Sequence, residues 1–222
     1  MVEDKMKFGQ ACNHVFKSLF VMLAYMMSTQ VIMLGLMAKS VPVCVAGLAI
    51  SAYAIYKIFR KTLANFGKTF STFKAAGYAI LTFAFIMAMR VILKLLFNGG
   101  TDQENQKVIV ELFSFAPALM YVTIAFLAPI VEEYCFREYL PMQLSKLSGS
   151  GPKPWIYGYV PTIVSGALFT MMHSASDLFG ILLYGSMAAI LAIVRIKSNN
   201  LYVSMAAHVV WNTFGATLII LG

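Results

Sequence analysis

The stretch AGYAILTFAFIMAMRVILKLLF, residues 76–97, contains only two charged side chains, Arg90 and Lys94. A transmembrane helix needs about 20 mostly apolar residues, because each residue advances a helix by about 1.5 Å across a hydrocarbon core about 30 Å thick. This stretch is long enough and apolar enough to cross a bilayer. It therefore predicts an integral membrane protein built from helices.

The composition of the whole chain agrees with that prediction. Of its 222 residues, 60% are hydrophobic and 12% are charged, whereas a soluble domain usually carries about 25% charged residues. We therefore predict an all-α, polytopic helical membrane protein with a polar cavity inside the membrane. Residues 1–222 would form a single integral membrane domain with about seven transmembrane helices. The predicted spans lie near residues 18–38, 42–59, 76–97, 113–133, 156–173, 178–194 and 201–221.

The basic residues predict the orientation, because Lys and Arg accumulate in cytoplasmic loops. With the N-terminus inside, thirteen of them fall on the inner side and three on the outer side. The inner set is Lys5, Lys7, Lys17, Lys57, Arg60, Lys61, Lys68, Lys74, Arg137, Lys146, Lys153, Arg195 and Lys197, and the outer set is Lys39, Lys94 and Lys107. We expect an integral protein of a bacterial cell membrane with a cytoplasmic N-terminus. In that setting the net charge of +8 does not indicate binding to nucleic acid.

Ionisable side chains near or within spans are functional candidates, since a charge at the membrane centre costs about 2.5–3.5 kcal/mol on insertion scales. In VEEYCFREYL, residues 131–140, Glu133 and Arg137 are four residues apart and share a helical face, which favours an ion pair. Glu132 is turned by about 100° from Glu133 and points elsewhere. We expect this group at the cytoplasmic end of the fourth span. The alternative interpretation is that it only ends a span at the headgroup level.

Two more pairs have the same helical spacing. FTMMH places Phe169 and His173 on one face, and HVVWN places His208 and Asn212 on one face of the last span. A carboxylate with a neutral histidine can hold and deprotonate water. A second histidine with a carboxamide can donate hydrogen bonds to an oxyanion. Together these residue types predict hydrolysis of a peptide bond within the membrane.

The order and spacing of these motifs resemble a known family. EEYCFR fits the pattern EExxxR, FTMMH fits FxxxH and HVVWN fits HxxxN. The CPBP family has this pattern, and it contains the type II CAAX prenyl proteases and bacterial relatives linked to bacteriocin self-immunity. The resemblance implies a CAAX-protease-like intramembrane glutamic endopeptidase without a cofactor or metal. Its catalytic motifs would lie within residues 113–220, and the N-terminal spans, residues 18–97, would be accessory.

The resemblance also implies roles for the acidic motif. Glu132 would be the base that activates water, and His173 would help to hold that water. Glu133 and Arg137 would brace and tune the pair. The expected partners are a peptide or membrane-protein substrate and the lipid bilayer, and the sequence does not predict an oligomeric state.

The remaining motif residues would face the substrate. By the same resemblance, His208 and Asn212 would bind the oxyanion of the tetrahedral intermediate, and Phe169 would shape the substrate pocket. One difficulty accompanies this arrangement. The predicted topology puts Glu132 near the inner face but His173 at the far end of a short fifth span, and the two must meet.

Three other functions fit parts of the pattern. His173 and His208 with a glutamate are the ligand types of a metal-dependent protease. A non-catalytic membrane scaffold or bacteriocin-immunity protein that binds a peptide or a sensor kinase is a second alternative. A transporter that binds an anion at Arg90 and Lys94 is a third, although both side chains can also extend to the headgroups.

Overall fold

The computed structural model describes residues 2–63, 72–98, 104–147, 159–173, 175 and 177–221. Within these ranges the regular structure is helical and contains no strand. The helices are α1 (Val2–Met37), α2 (Val41–Leu63), α3 (Thr72–Leu96), α4 (Glu104–Phe115), α5 (residues 117–147), α6 (Tyr159–Met172), α7 (Leu178–Ser198) and α8 (Leu201–Leu221). The predicted all-α fold is confirmed.

Six segments of these helices are long and apolar enough to cross a membrane. They are Gln10–Met37, Val41–Thr62, Phe73–Leu96, Pro117–Ser145, Leu178–Ser198 and Leu201–Leu221. The predicted fifth span corresponds to α6, which has 14 residues. At 1.5 Å per residue α6 is about 21 Å long, shorter than the hydrocarbon core. The polytopic architecture is confirmed, with a short helix where the sequence predicted one of seven spans.

The fourth span does not end at Glu133, as the sequence predicted. Helix α5 continues through residue 147, so Glu132 and Glu133 lie near the middle of the span Pro117–Ser145. The end of α5 packs against α1 and α6. The expectation that this motif ends the fourth span was wrong, because Glu133 and Arg137 face each other inside the helix bundle and their charges do not mark the end of a span.

Two basic residues that were counted with the inner loops are buried. Arg137 is 4% exposed and Arg195 is 7% exposed. The Arg137 guanidinium lies 3.7 Å from Glu133, and Arg195 Nη2 donates to Glu138 Oε2 over 2.5 Å. Neither residue therefore contributes to the loop charge bias. The cytoplasmic N-terminus remains a prediction that rests on the other basic residues.

The outside of the bundle is apolar. Large side chains such as Phe16, Phe20, Phe73, Phe85 and Leu95 are exposed over several helices. Monomeric soluble proteins rarely expose contiguous apolar patches of more than a few hundred Å². This surface fits an environment of lipid chains.

Glycines allow α1 and α2 to approach each other closely. A Cβ atom added at Gly47 would lie 2.7 Å from the Ile32 backbone nitrogen, and one at Gly35 would lie 2.6 Å from the Cys44 backbone nitrogen. Small residues at such contacts let the backbones of membrane helices pack by van der Waals attraction. This pairing fixes α1, which forms one wall of the cavity described below.

Candidate active site

Helix α5 contains two π-helical turns, one on each side of the acidic motif. They span Thr123–Leu127 and Tyr134–Tyr139, and the segment Ala128–Glu133 between them is α-helical. π turns inside α-helices are frequent at functional sites. Each turn here is followed two residues later by a proline, Pro129 or Pro141.

The prolines leave one backbone carbonyl free in each turn. The Ala128 N–H donates to the Thr123 carbonyl, five residues back, and so does not reach the Ile124 carbonyl. The residue five positions after Ile124 is Pro129, which has no N–H. The Phe136 carbonyl is left free in the same way. The Leu140 N–H donates to the Cys135 carbonyl, five residues back, and the following residue, Pro141, has no N–H.

Side chains of two other helices donate hydrogen bonds to these free carbonyls. Asn212 Nδ2 on α8 donates to the Ile124 oxygen over 2.9 Å, and Ser165 Oγ on α6 donates to the Phe136 oxygen over 2.5 Å. Buried backbone carbonyls need such partners. Since His208 precedes Asn212 by one helical turn, the first bond also orients His208 towards the acidic motif.

The glutamate and the two histidines meet at this position. Glu132 Oε2 lies 3.9 Å from His173 Nε2 and 3.7 Å from His208 Nε2. The predicted topology had placed Glu132 and His173 far apart. They meet because Glu132 lies in the middle of its span and the short helix α6 ends at the same depth. The structure therefore brings all three residues together.

Glu133 lies behind this group and is completely buried. Its Oε1 is 3.1 Å from His208 Nδ1 and 3.7 Å from Arg137 Nη2. The predicted Glu133–Arg137 pair is thus present. His208 lies between the two carboxylates, with Nδ1 towards Glu133 and Nε2 towards Glu132. A proton on Nδ1 would be held by the buried carboxylate.

The tautomer of His173 follows from its backbone contact. Nδ1 lies 2.8 Å from the Phe169 carbonyl oxygen. A carbonyl only accepts hydrogen bonds, so Nδ1 carries the proton and a neutral ring offers Nε2 as an acceptor. Nε2 is too far from Glu132 Oε2 for a direct hydrogen bond, but the two acceptors are spaced so that one water molecule can bridge them.

Phe169 is fully buried and is not among the described residues that line the cavity. Its ring centroid is 4.8 Å from the Arg137 guanidinium carbon and 4.2 Å from the His173 ring centroid. A guanidinium on an aromatic face is a favourable cation–π contact. Phe169 was expected to shape the pocket, and its contacts place it behind the wall, where it supports the charged residues.

The site opens into a cavity of about 670 Å³. Glu132, His173, His208 and Asn212 line it, together with α1 and α3 residues. This volume is typical of ligand sites. Six methionines contribute to the wall, namely Met26, Met27, Met33, Met37, Met172 and Met187. Of the N-terminal spans, α1 contributes several residues to the lining and α3 contributes Arg90.

Two aromatic residues that line the cavity, Tyr184 and Trp211, were not predicted from the sequence, and Arg90, predicted only for an anion-binding alternative, lines it as well. The Tyr184 ring centroid lies 4.7 Å from that of His173. Tyr184 stands in an apolar run with no motif to distinguish it. Trp211 is adjacent to Asn212, so the HVVWN motif contained the only available signal.

The alternative of a metal site has no matching cluster in the described ranges. Among those residues, no group of three His, Cys, Asp or Glu side chains is arranged to hold a metal ion. The effect of a chelator on activity tests for a metal-dependent reaction.

The part of this chain that is similar to known proteins contains this site. Residues 114–214 match the family of type II CAAX prenyl endopeptidases described as Rce1-like. This region, somewhat less than half of the chain, is similar to the Rce1-like family. The match contains the three motifs, so the family predicted from them is confirmed.

Two curated relatives support the Rce1-like assignment. UPF0177 protein YvdC of Lactococcus lactis subsp. lactis (strain IL1403) is 27% identical over 142 residues, which are 64% of this chain and 50% of YvdC. YdiL of Bacillus subtilis (strain 168), named "Putative membrane peptidase", is 26% identical over 118 residues, 53% of this chain and 44% of YdiL. The chain thus spans about half the length of the curated relatives it matches. No solved structure matches it.

Proposed function

We propose that this protein is an intramembrane endopeptidase of the CAAX-protease type that hydrolyses peptide bonds with water activated by Glu132. One observation carries the proposal. Glu132, His173 and His208 converge on the wall of a cavity in the middle of the helix bundle, within the region that matches the endopeptidase family. Charged and polar residues at such a depth cost free energy, so their presence indicates a function.

Glu132 and His173 hold the attacking water in this mechanism. Both present acceptors, Oε2 and Nε2, to the two protons of one molecule. As the water oxygen bonds to the carbonyl carbon of the peptide, Glu132 accepts its proton. When the tetrahedral intermediate collapses, the C–N bond breaks and Glu132 returns the proton to the leaving nitrogen. A positioned general base of this kind typically contributes 10²–10⁴-fold to the rate.

His208 and Asn212 stabilise the oxyanion in the proposed mechanism. With both ring nitrogens protonated, His208 donates through Nε2 while Glu133 neutralises the charge through Nδ1. Asn212 uses one N–H on the Ile124 carbonyl and keeps a second N–H for the substrate. Glu133 and Arg137 act as positioning residues because they fix His208 and do not line the cavity.

The test measures cleavage of a quenched fluorescent peptide library by purified protein in detergent. We expect Glu132→Gln and His208→Ala each to lower the cleavage rate by at least about 10²-fold, because each removes a group that acts in the transition state. Glu111→Gln, which removes an exposed carboxylate of α4, is the matched control and should cleave at the wild-type rate. A chelator should have no effect.

Three outcomes would contradict the proposal. Cleavage that a chelator abolishes would point to the metal-dependent alternative. If wild type and Glu132→Gln cleave equally, or if neither cleaves any peptide, the catalytic role fails and the scaffold or immunity function becomes the better explanation.

A further inference from the structure

Arg90 stands out among the described residues that line the cavity because it is the only Lys or Arg there. It lies on α3 within the span Phe73–Leu96. No hydrogen bond or ion pair is found for its side chain among the described residues, unlike Arg137 and Arg195, which both face glutamates. A cation in a membrane span normally faces a partner or a functional cavity.

The packing of α3 shows at which end of the cavity Arg90 lies. The ring of Phe97, just after α3, is 6.0 Å from the ring of Phe179 at the start of α7. Helices α7 and α8 are connected by a tight turn at Asn199 and Asn200, so the start of α7 is level with the end of α8. The C-terminal ends of α3 and α8 are therefore on the same side of the bundle.

The register of these two helices gives the distance from the catalytic group. The Phe83 ring packs on Trp211 and Phe214, with centroids 5.9 and 5.2 Å apart. Arg90 follows Phe83 by seven residues, and His208 precedes the contacted pair on α8. With a rise of 1.5 Å per residue, Arg90 lies about 15 Å along the bundle from the level of His208. An extended peptide covers that length with about four or five residues.

The cavity between these two levels is mostly apolar. Methionines of α1, including Met33 and Met37, line it. Methionine side chains are flexible and polarisable and adapt to varied apolar partners. The cavity thus offers, in order, a hydrolytic group, an adaptable apolar wall and an unpaired cation. The complementary ligand is an apolar peptide that ends in, or carries, one negative charge.

We propose that Arg90 binds a carboxylate of the substrate peptide about four or five residues from the bond that is cut. This inference rests on the proposed peptidase function for the position of the cut, and Arg90 is then a specificity-determining residue. The guanidinium suits this ligand because its planar donors match a carboxylate. The carboxylate is either the C-terminus of the peptide or an acidic side chain, and both are present in the test.

The test first measures binding alone. Fluorescent apolar peptides would be titrated onto detergent-solubilised Glu132→Gln protein, which keeps them intact. One peptide has a free C-terminal carboxylate, a second is amidated, and a third series is amidated with one glutamate at successive positions. We expect Arg90→Gln to weaken binding of the peptides with a carboxylate by about tenfold or more and to leave the uncharged peptide unchanged.

Lys94→Gln is the matched control, because Lys94 is one turn away on the same helix, is exposed, and is not among the residues lining the cavity. It should bind every peptide as the parent does. Arg90→Lys should recover part of the lost affinity, since it keeps the charge without the planar fork. If Arg90→Gln weakens binding only of the peptide with a free C-terminus, the ligand of Arg90 is the C-terminal carboxylate. If it weakens binding of an amidated peptide with a glutamate, the ligand is an acidic side chain.

The second arm measures cleavage by the protein with Glu132 intact. Among the peptides that carry a glutamate, kcat/KM should be highest with the charge four or five residues from the cut, and Arg90→Gln should remove that optimum. Equal effects of Arg90→Gln on charged and uncharged peptides would overturn the inference. So would loss of discrimination on adding anionic phosphatidylglycerol micelles, which would identify a lipid headgroup as the occupant.

Failure of the inference and failure of the proposed function are distinguishable. Carboxylate-selective binding that depends on Arg90, in a protein that cleaves nothing, supports the anion site and rejects the peptidase. Cleavage that depends on Glu132 but ignores the charge of the peptide supports the peptidase and rejects the anion site.

Discussion

At the scale of single residues, Glu133 illustrates how a carboxylate is tolerated in the middle of a membrane helix. It is completely buried, yet it faces His208 Nδ1 at 3.1 Å and the Arg137 guanidinium at 3.7 Å. The Arg137 guanidinium in turn lies over the Phe169 ring. Removal of one member leaves the others buried without compensation, and such a change in a buried pair costs about 3–5 kcal/mol.

We expect Glu133→Gln to lower the free energy of unfolding by about 3 kcal/mol, because Arg137 then keeps its charge without a counter-charge. The measurement is thermal unfolding in detergent, with Glu111→Gln as the control for loss of an exposed carboxylate. Cleavage should fall as well, since His208 loses the acceptor that orients it. An unfolding temperature equal to that of the control would show that Glu133 does not form the pair in the membrane protein.

At the scale of elements, α5 holds its neighbours through backbone atoms that its own prolines release. Pro129 and Pro141 each leave one carbonyl without a helical donor, and a polar side chain of α8 or α6 replaces that donor. Ser165 lies on the same helical face as Phe169 and His173, four and eight residues before them. The hydrogen bond of Ser165 therefore sets the rotation of α6 that brings His173 to the site.

We expect Ser165→Ala to destabilise the protein by about 1–3 kcal/mol, because the Phe136 carbonyl is then buried without a partner. Ser186→Ala is the matched control, since the hydroxyl of Ser186 donates to the Leu183 carbonyl of its own helix. The measurement is again thermal unfolding in detergent, combined with cleavage.

A double-mutant cycle tests the cause of this effect. Pro141→Ala restores an N–H to α5, so a backbone donor becomes available for the Phe136 carbonyl. In that background Ser165→Ala should cost less than in the wild type. An equal cost in both backgrounds would mean that the proline is not the reason for the bond.

At the scale of the whole molecule, the orientation in the membrane is a prediction from the loop charges and not from the helix packing. We expect Ala38→Cys, between α1 and α2, to react with a membrane-impermeant maleimide on intact cells. Lys197→Cys, at the end of α7, should react only after permeabilisation. Both side chains are exposed. The background would carry alanine at Cys12, Cys44 and Cys135, and that background alone is the control. The reverse labelling pattern would place the N-terminus outside.

The amino-acid sequence by itself determined the class of the protein and the local pairs of its site. Long apolar runs predict membrane helices because lipid forces the backbone to bond internally. The i, i+4 spacing predicts that Glu133 and Arg137 share a face because a helix repeats every 3.6 residues. These features depend only on local geometry, so they could be predicted, and so could the family.

Tertiary structure alone decided which groups from different helices meet. Hydropathy treats a charge as the end of a span, so Glu132 was expected near the membrane surface until its partners on α6 and α8 were seen. Arg90 was expected to extend towards the headgroups, and its position at the cavity depends on how α3 packs against α8. Contacts of this kind join residues far apart in sequence. The spacing of residues within one helix does not indicate which residue of another helix will contact them.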